Sequence, residues 1–166
     1  EIGAGAAAGY SVNLPLFPYT GDAVYLEAFD QIVLPLIQAF APDVIATQIG
    51  ADAHLNDPLT HLGLTTYGYL GAVDRLGSLG YPWLAFGGGG YDLDAVPRCW
   101  ALAYGTMLGR DWPDELPLGS NVFLDSERLR DDGFPVDADI QAKARSYAHD
   151  QIQEIRRLIF PVHGLA

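Results

Sequence analysis

Apolar residues recur at spacings of three and four between Ala23 and Phe40. Leu26, Phe29, Val33, Ile37 and Phe40 form one stripe, the signature of a helix with a single buried face. Thr20 or Asp22 stands where that helix needs an N-terminal cap, and Pro35 inside the pattern predicts a kink. Ahead of it "EIGAGAAAG" (1–9) reads as loop, and "YSVNLPL" (10–16) alternates briefly before Pro15, predicting a short strand and exit loop. "DVIATQIG" (43–50) is apolar without alternation, as in a parallel strand covered on both faces. A second helical periodicity runs from about Thr65 to Leu79 through Tyr69, Leu70, Val73, Leu76 and Leu79. "YPWLAF" (81–86) is the next buried strand, and Asp92 or Asp94 can start a third helix to about Leu108. Ala138 to Phe160 predicts a long terminal helix with Ile140, Ala144, Tyr147, Ile152, Ile155 and Ile159 as its apolar members.

Strands that alternate with helices give βαβ units and a parallel sheet, hence an α/β fold. In such sheets ligands bind beyond the carboxyl ends of the strands. Two loops leave those ends, 50–63 and 87–94, and the second holds four consecutive glycines followed by Tyr91. Past "RDWPDELP" the alternation fades, and residues 126–135 are charged and turn-rich.

Composition narrows the classes. The 166 residues, 49% hydrophobic and 18% charged, can bury a core as one domain or a large piece of one. No run of eighteen apolar residues and no signal-like segment stands out, so no membrane partner is expected. A net charge of −12 argues against a nucleic-acid surface, which would be basic. The lone cysteine, Cys99, allows no internal disulfide and fits a reducing cytoplasm.

For Gly87–Gly90 a phosphate cradle would require a following lysine with Ser or Thr, or a G-x-G-x-x-G pattern, and neither is there. A glycine turn of purely structural purpose and an active-site wall are the other readings. In "GADAHLNDPL" (50–59) Asp52, His54 and Asp57 are zinc-type donors, although isolated loop aspartates more commonly cap backbone.

Taken together, "GAGAAAGYSVNLPL" (3–16), "QIGADAHLNDPLTHLGLT" (48–65) and "LAFGGGGYDLDAVPRCW" (84–100) resemble the zinc-dependent histone deacetylase superfamily. Within it they look closest to bacterial acetoin-utilisation deacetylases, with acetylpolyamine amidohydrolases second. The resemblance implies a three-layer αβα, arginase/deacetylase-like fold, incomplete in this chain. It covers residues 1–118 as catalytic-core motifs, with 119–166 a C-terminal extension of the same domain bearing the terminal helix.

By motif, Asp52 matches a zinc ligand and Tyr91 the transition-state tyrosine. Leu59 and Gly88, Gly89 and Gly90 match the walls of the acyl-lysine channel, and Tyr10 a position near a potassium ion. The implied chemistry is hydrolysis of the acetamide of acetyl-lysine or acetylated small amines. The paired histidines and the Asp-x-His ligands of the family lie ahead of the glycine-rich opening. His54, His61, His149 and His163 match none of them, so this chain is expected to be inactive alone and to need the N-terminal half, or to self-associate. The alternative reading is a non-catalytic α/β module whose exposed half-sheet pairs with a partner chain.

Overall fold

The computed structural model describes residues 1–116, 126–133 and 137–166. Residues 22–40 form one helical run in three pieces: α1 (Asp22–Ala28), a π-helical turn (Phe29–Val33) and α2 (Leu34–Phe40). Pro35 has no N–H to continue the ladder, and the widened turn just ahead of it is a recognised way to absorb that fault. The buried line is Val24, Ala28 and Ile32 with Phe29, so only Phe29 of the expected stripe is buried and Phe40 is 58% exposed. The reason is tertiary. Small Ala28 faces the terminal helix, while Val33, Ile37 and Phe40 line an open groove.

Neither expected residue caps α1. The cap position falls on Gly21, and the Thr20 hydroxyl donates to the Phe17 carbonyl. Asp22 reaches across to α3 (Thr66–Gly77): its carboxylate accepts the Thr65 N–H at 2.8 Å and the Thr65 hydroxyl at 2.6 Å. The run Asp22–Phe40 is long and apolar enough, by composition, to cross a membrane. Its N-terminal half is packed inside through Val24, Ala28, Phe29 and Ile32, while Leu34–Phe40 has no buried residue.

The βαβ reading holds. β1 (Ile45–Gln48), α3 and β2 (Trp83–Phe86) form the unit, with parallel pairing from Ile45↔Trp83 to Gln48↔Phe86. On one face, Trp83 packs with α3 and α4 (Ala95–Met107) around Tyr69, Val73, Cys99 and Ala103. Burial pushes the Cys99 thiol up to about 12, so it is an inert packing group. The expected cover on both faces is not supplied by the described residues: Leu84 and Phe86 stand more than half exposed on the other side.

The predicted strand at 10–16 does not form. Leu14 and Leu16 pack instead against the cluster of the terminal helix. That helix, α5 (Ala138–Leu158), is capped by Asp137, which accepts the N–H groups of Asp139 and Ile140. Ala144, Ala148, Ile152 and Ile155 seal it onto α1, while the expected Tyr147 lies outward and Ala148 takes the buried place. Residues 137–166 therefore belong to the core. The expected boundary at 118 lies outside the described residues.

β1 bonds to β2 along one edge, where the Ile45 and Ile49 N–H groups donate to Pro82 and Phe86 carbonyls. Residues 44–50 also line a groove of about 670 Å3 whose far wall is Phe29, Ile32, Leu36 and Phe40.

Ile32, 1% exposed between α1 and α5, sets a direct check of this core. Ile32→Ala should lower stability by about 2–5 kcal/mol, whereas Phe40→Ala should change it by about 0.5 kcal/mol or less. Urea denaturation with an unchanged m-value reads the difference.

Candidate active site

The loops after β1 and β2 meet at the carboxyl end of the sheet. The Ala51 N–H donates to the Gly89 carbonyl at 2.7 Å. A Cβ on Gly89 would fall on the Asp52 carboxylate, and one on Gly88 would fall on Gln48. Gly90 has φ +135, and a Cβ there would strike Val96. The glycines are thus required by how closely the two loops pack, on whichever side a ligand arrives.

Asp57 holds the second loop to the first. Its Oδ1 accepts the N–H groups of Leu59 (2.9 Å) and Thr60 (3.1 Å), and its Oδ2 accepts the Tyr91 N–H at 2.9 Å. It caps loop backbone, the alternative weighed from sequence, and it also fixes where Tyr91 leaves the chain. The Tyr91 ring is 55% exposed and Leu59 64% exposed, so both face solvent at the mouth of this junction. The Thr60 hydroxyl donates to the Asp52 carbonyl. The carboxylate of Asp52, half-buried, accepts no hydrogen bond from the described residues and is free for a cation or donor. Asp92 starts α4, its Oδ1 accepting from Asp94 (3.1 Å) and Ala95 (2.6 Å), while Asp94 turns to Arg98 and Ser126.

Beneath the loops lies a buried charged network that no motif announced. The Asp131 carboxylate accepts from His54 Nε2 at 3.1 Å, the Thr66 N–H at 2.7 Å and Arg98 Nη1 at 2.8 Å. His54 Nδ1 accepts the Asn56 N–H, which leaves Nε2 as the nitrogen carrying the hydrogen toward Asp131. Both His54 nitrogens are committed, so it is no ligand. His54 and Arg98 are each 2% exposed. Burial alone would raise the Asp131 pKa, but hydrogen bonds from His54, the Thr66 N–H and Arg98 outweigh it and hold the carboxyl well below its usual range. The one available sequence signal was an arginine in an apolar helical run, "VPRCWALA"; nothing marked Asp131.

The other histidines are also placed elsewhere. His163 Nε2 donates to the Gly9 carbonyl, His61 stands edge-on to Tyr19, and His149 lies exposed on α5. The Tyr10 ring packs edge-on against Phe40 and His163, neighbours that supply none of the oxygen ligands potassium prefers. No three His, Cys, Asp or Glu side chains cluster to hold a metal among the described residues. Asp52 supplies one donor where a catalytic zinc site draws about three from protein. The described residues fit part of such a site.

The Histone deacetylase domain model matches residues 1–107. Acetoin utilization protein AcuC of Bacillus subtilis is 44% identical over 124 residues, covering 70% of this chain and 32% of that protein. Putative histone deacetylase 2 of Caenorhabditis elegans is 36% identical over 123 residues, covering 74% and 24%. AcuC of Staphylococcus xylosus is 37% identical over 119 residues, covering 68% and 31%. The chain thus spans about a quarter to a third of the length of these relatives.

The depressed Asp131 pKa predicts an acid-sensitive fold. Because the folded value lies below the unfolded one, its stabilisation is complete above the unfolded value of about 4 and is lost as pH falls beneath it. Asp131→Asn should lower stability near neutrality and flatten the decline between about pH 4 and pH 2. Urea midpoints measured across that range decide it; an unchanged acid limb would contradict the network.

Proposed function

The match over residues 1–107 places this chain in the histone deacetylase domain family, and on that premise we propose that it forms part of a zinc-dependent deacetylase acting on acetyl-lysine or acetylated small amines. The observation that carries the reading is the junction of two loops. Asp52 with a free carboxylate and Tyr91 with an exposed ring stand on loops clasped by Gly89 and Asp57.

In this reading Asp52 is one zinc ligand, and the others come from the part of the relatives that this chain does not span. Zinc, when bound, polarises the acetamide carbonyl and lowers the pKa of water. The chain's own residues bind and orient the substrate. The Tyr91 hydroxyl donates a hydrogen bond to the carbonyl oxygen as it gains charge, an interaction strongest in the transition state. Leu59 offers exposed apolar surface to the methylene stem of the substrate, and the backbone at Gly88–Gly90, seated closely on the first loop, forms the opposing wall. The C–N bond breaks, water's oxygen goes to acetate, and the amine leaves with the proton. A base outside this chain moves that proton, since His54 is committed to Asp131 and Asn56.

The open edge of β1 supports a composite domain. Ile45 and Ile49 donate to β2, so alternation turns the N–H groups of Ala46 and Gln48 toward the groove. We assign that groove to the rest of the domain, which would extend the sheet toward the three-layer arginase/deacetylase architecture. The same edge favours a second reading, a non-catalytic module that pairs with a partner chain.

Two tests follow. In the complete protein, Tyr91→Phe should reduce kcat on an acetyl-lysine peptide by roughly a hundred- to a thousandfold, with KM and zinc content little changed. Asp52→Ala should lose zinc and activity together. Near-normal turnover in the Phe variant would end the mechanism, and a zinc-free, inactive complete protein would favour the pairing module. The 166 residues alone should self-associate through the bare edge in sedimentation velocity; a clean monomer would count against the composite domain.

A further inference from the structure

We propose that Asp131 is a positioning residue for this reaction: it locks the loop of Asp52 and the helix behind Tyr91 into one frame and so places the Tyr91 hydroxyl. The inference rests on the reading of Tyr91 given above. Asp131 lies beyond the residues that the family model matches, in a stretch with no motif.

Three elements converge on its carboxylate: His54 from the Asp52 loop, Thr66 from the first turn of α3 and Arg98 from α4. The Asp131 N–H adds a bond to the Thr66 hydroxyl at 3.0 Å. Two of these links lead on to Tyr91 or to its neighbour Asp92. On one side His54 fixes its own loop, with Nδ1 accepting from Asn56 and its carbonyl accepting the Asp57 N–H; Asp57 Oδ2 then holds the Tyr91 N–H. On the other side Arg98 Nε donates to Asp94 Oδ2 at 2.9 Å, and the Asp94 N–H donates to Asp92, the residue after Tyr91. The carboxylate therefore holds the two loops at a fixed separation from below, while Gly89 and Asp57 hold them from above. Removing its charge leaves a buried guanidinium short of a partner and His54 Nε2 without its acceptor. The two loops can then shift relative to each other, and a misplacement of about 1 Å is enough to reduce a positioned reaction roughly a hundredfold.

The test is a double-mutant cycle on the complete, zinc-loaded deacetylase. Asp131→Asn should lower kcat by roughly ten- to a hundredfold while KM and zinc content stay close to those of the parent. In the Tyr91→Phe background the same substitution should have no further effect, because the hydroxyl it misplaces is already gone. An equal fall in both backgrounds, or loss of zinc together with activity, would overturn the positioning role and leave the Tyr91 mechanism standing. Full activity in Tyr91→Phe alone would overturn both. Should Asp131→Asn not yield folded protein, His54→Gln loosens the same frame from its other side: the amide can still donate toward Asp131, but the rigid ring that joins that contact to the Asn56 N–H is gone. Its smaller fall in kcat must vanish in the Tyr91→Phe background by the same rule, and a fall that persists there overturns the inference.

Discussion

The Asp52 carboxylate occupies the space that a side chain at position 89 would need. From that contact the carboxyl end of the sheet is built outward. Glycine at 89 lets the second loop lie on the first, and the bond from Ala51 to Gly89 fixes the two backbones side by side. The turn at Gly90, with φ +135, then swings the chain so that the Tyr91 N–H meets Asp57. Two acidic side chains with different surroundings result: Asp57 accepts from three backbone donors, and the Asp52 carboxylate accepts none from the described residues. That pairing of a half-buried carboxylate with an exposed phenol is what the proposed deacetylase reading builds on.

The βαβ unit was legible because its signals are local. An apolar run, a helical period and a second apolar run suffice for parallel pairing, and β1, α3 and β2 formed as read. The loop residues were legible too, since glycine runs and strand-end aspartates are short-range features. What failed depended on distant partners. The buried side of α1 was misassigned because small Ala28, not the larger Leu26, meets α5 across more than a hundred residues of chain. Residues 10–16 alternate like a strand, yet Leu14 and Leu16 found helices to pack on. The covering expected on the second sheet face is not provided by the described residues, which is why Leu84 and Phe86 remain exposed. The Asp131 network joins positions 77, 65 and 33 residues apart, a separation no periodicity reports.

Support for the site and incompleteness of the sheet are two sides of one arrangement. α5 and the network around Asp131 brace the loops from the core side, with His54 and Arg98 sealed from water. The opposite flank, at the free edge of β1, is an apolar groove and a bare strand. The chain spans about a quarter to a third of the length of its relatives, and in the reading proposed above its two clasped loops would be one part of a site that the remaining ligands complete. Under the proposed mechanism, preorganisation of this kind would let the Tyr91 hydroxyl act on developing charge without a prior reorientation.

Whether the clasped loops face a metal decides what this junction does. A crystal of the complete protein, measured at the zinc absorption edge, gives the most direct answer. An anomalous peak about 2 Å from a carboxylate oxygen of Asp52, with the Gly89 backbone still seated on that carboxylate and the Tyr91 ring turned toward the peak, is the expected result. A zinc peak elsewhere in the molecule, or an Asp52 carboxylate satisfied by protein donors with no metal beside it, would contradict it.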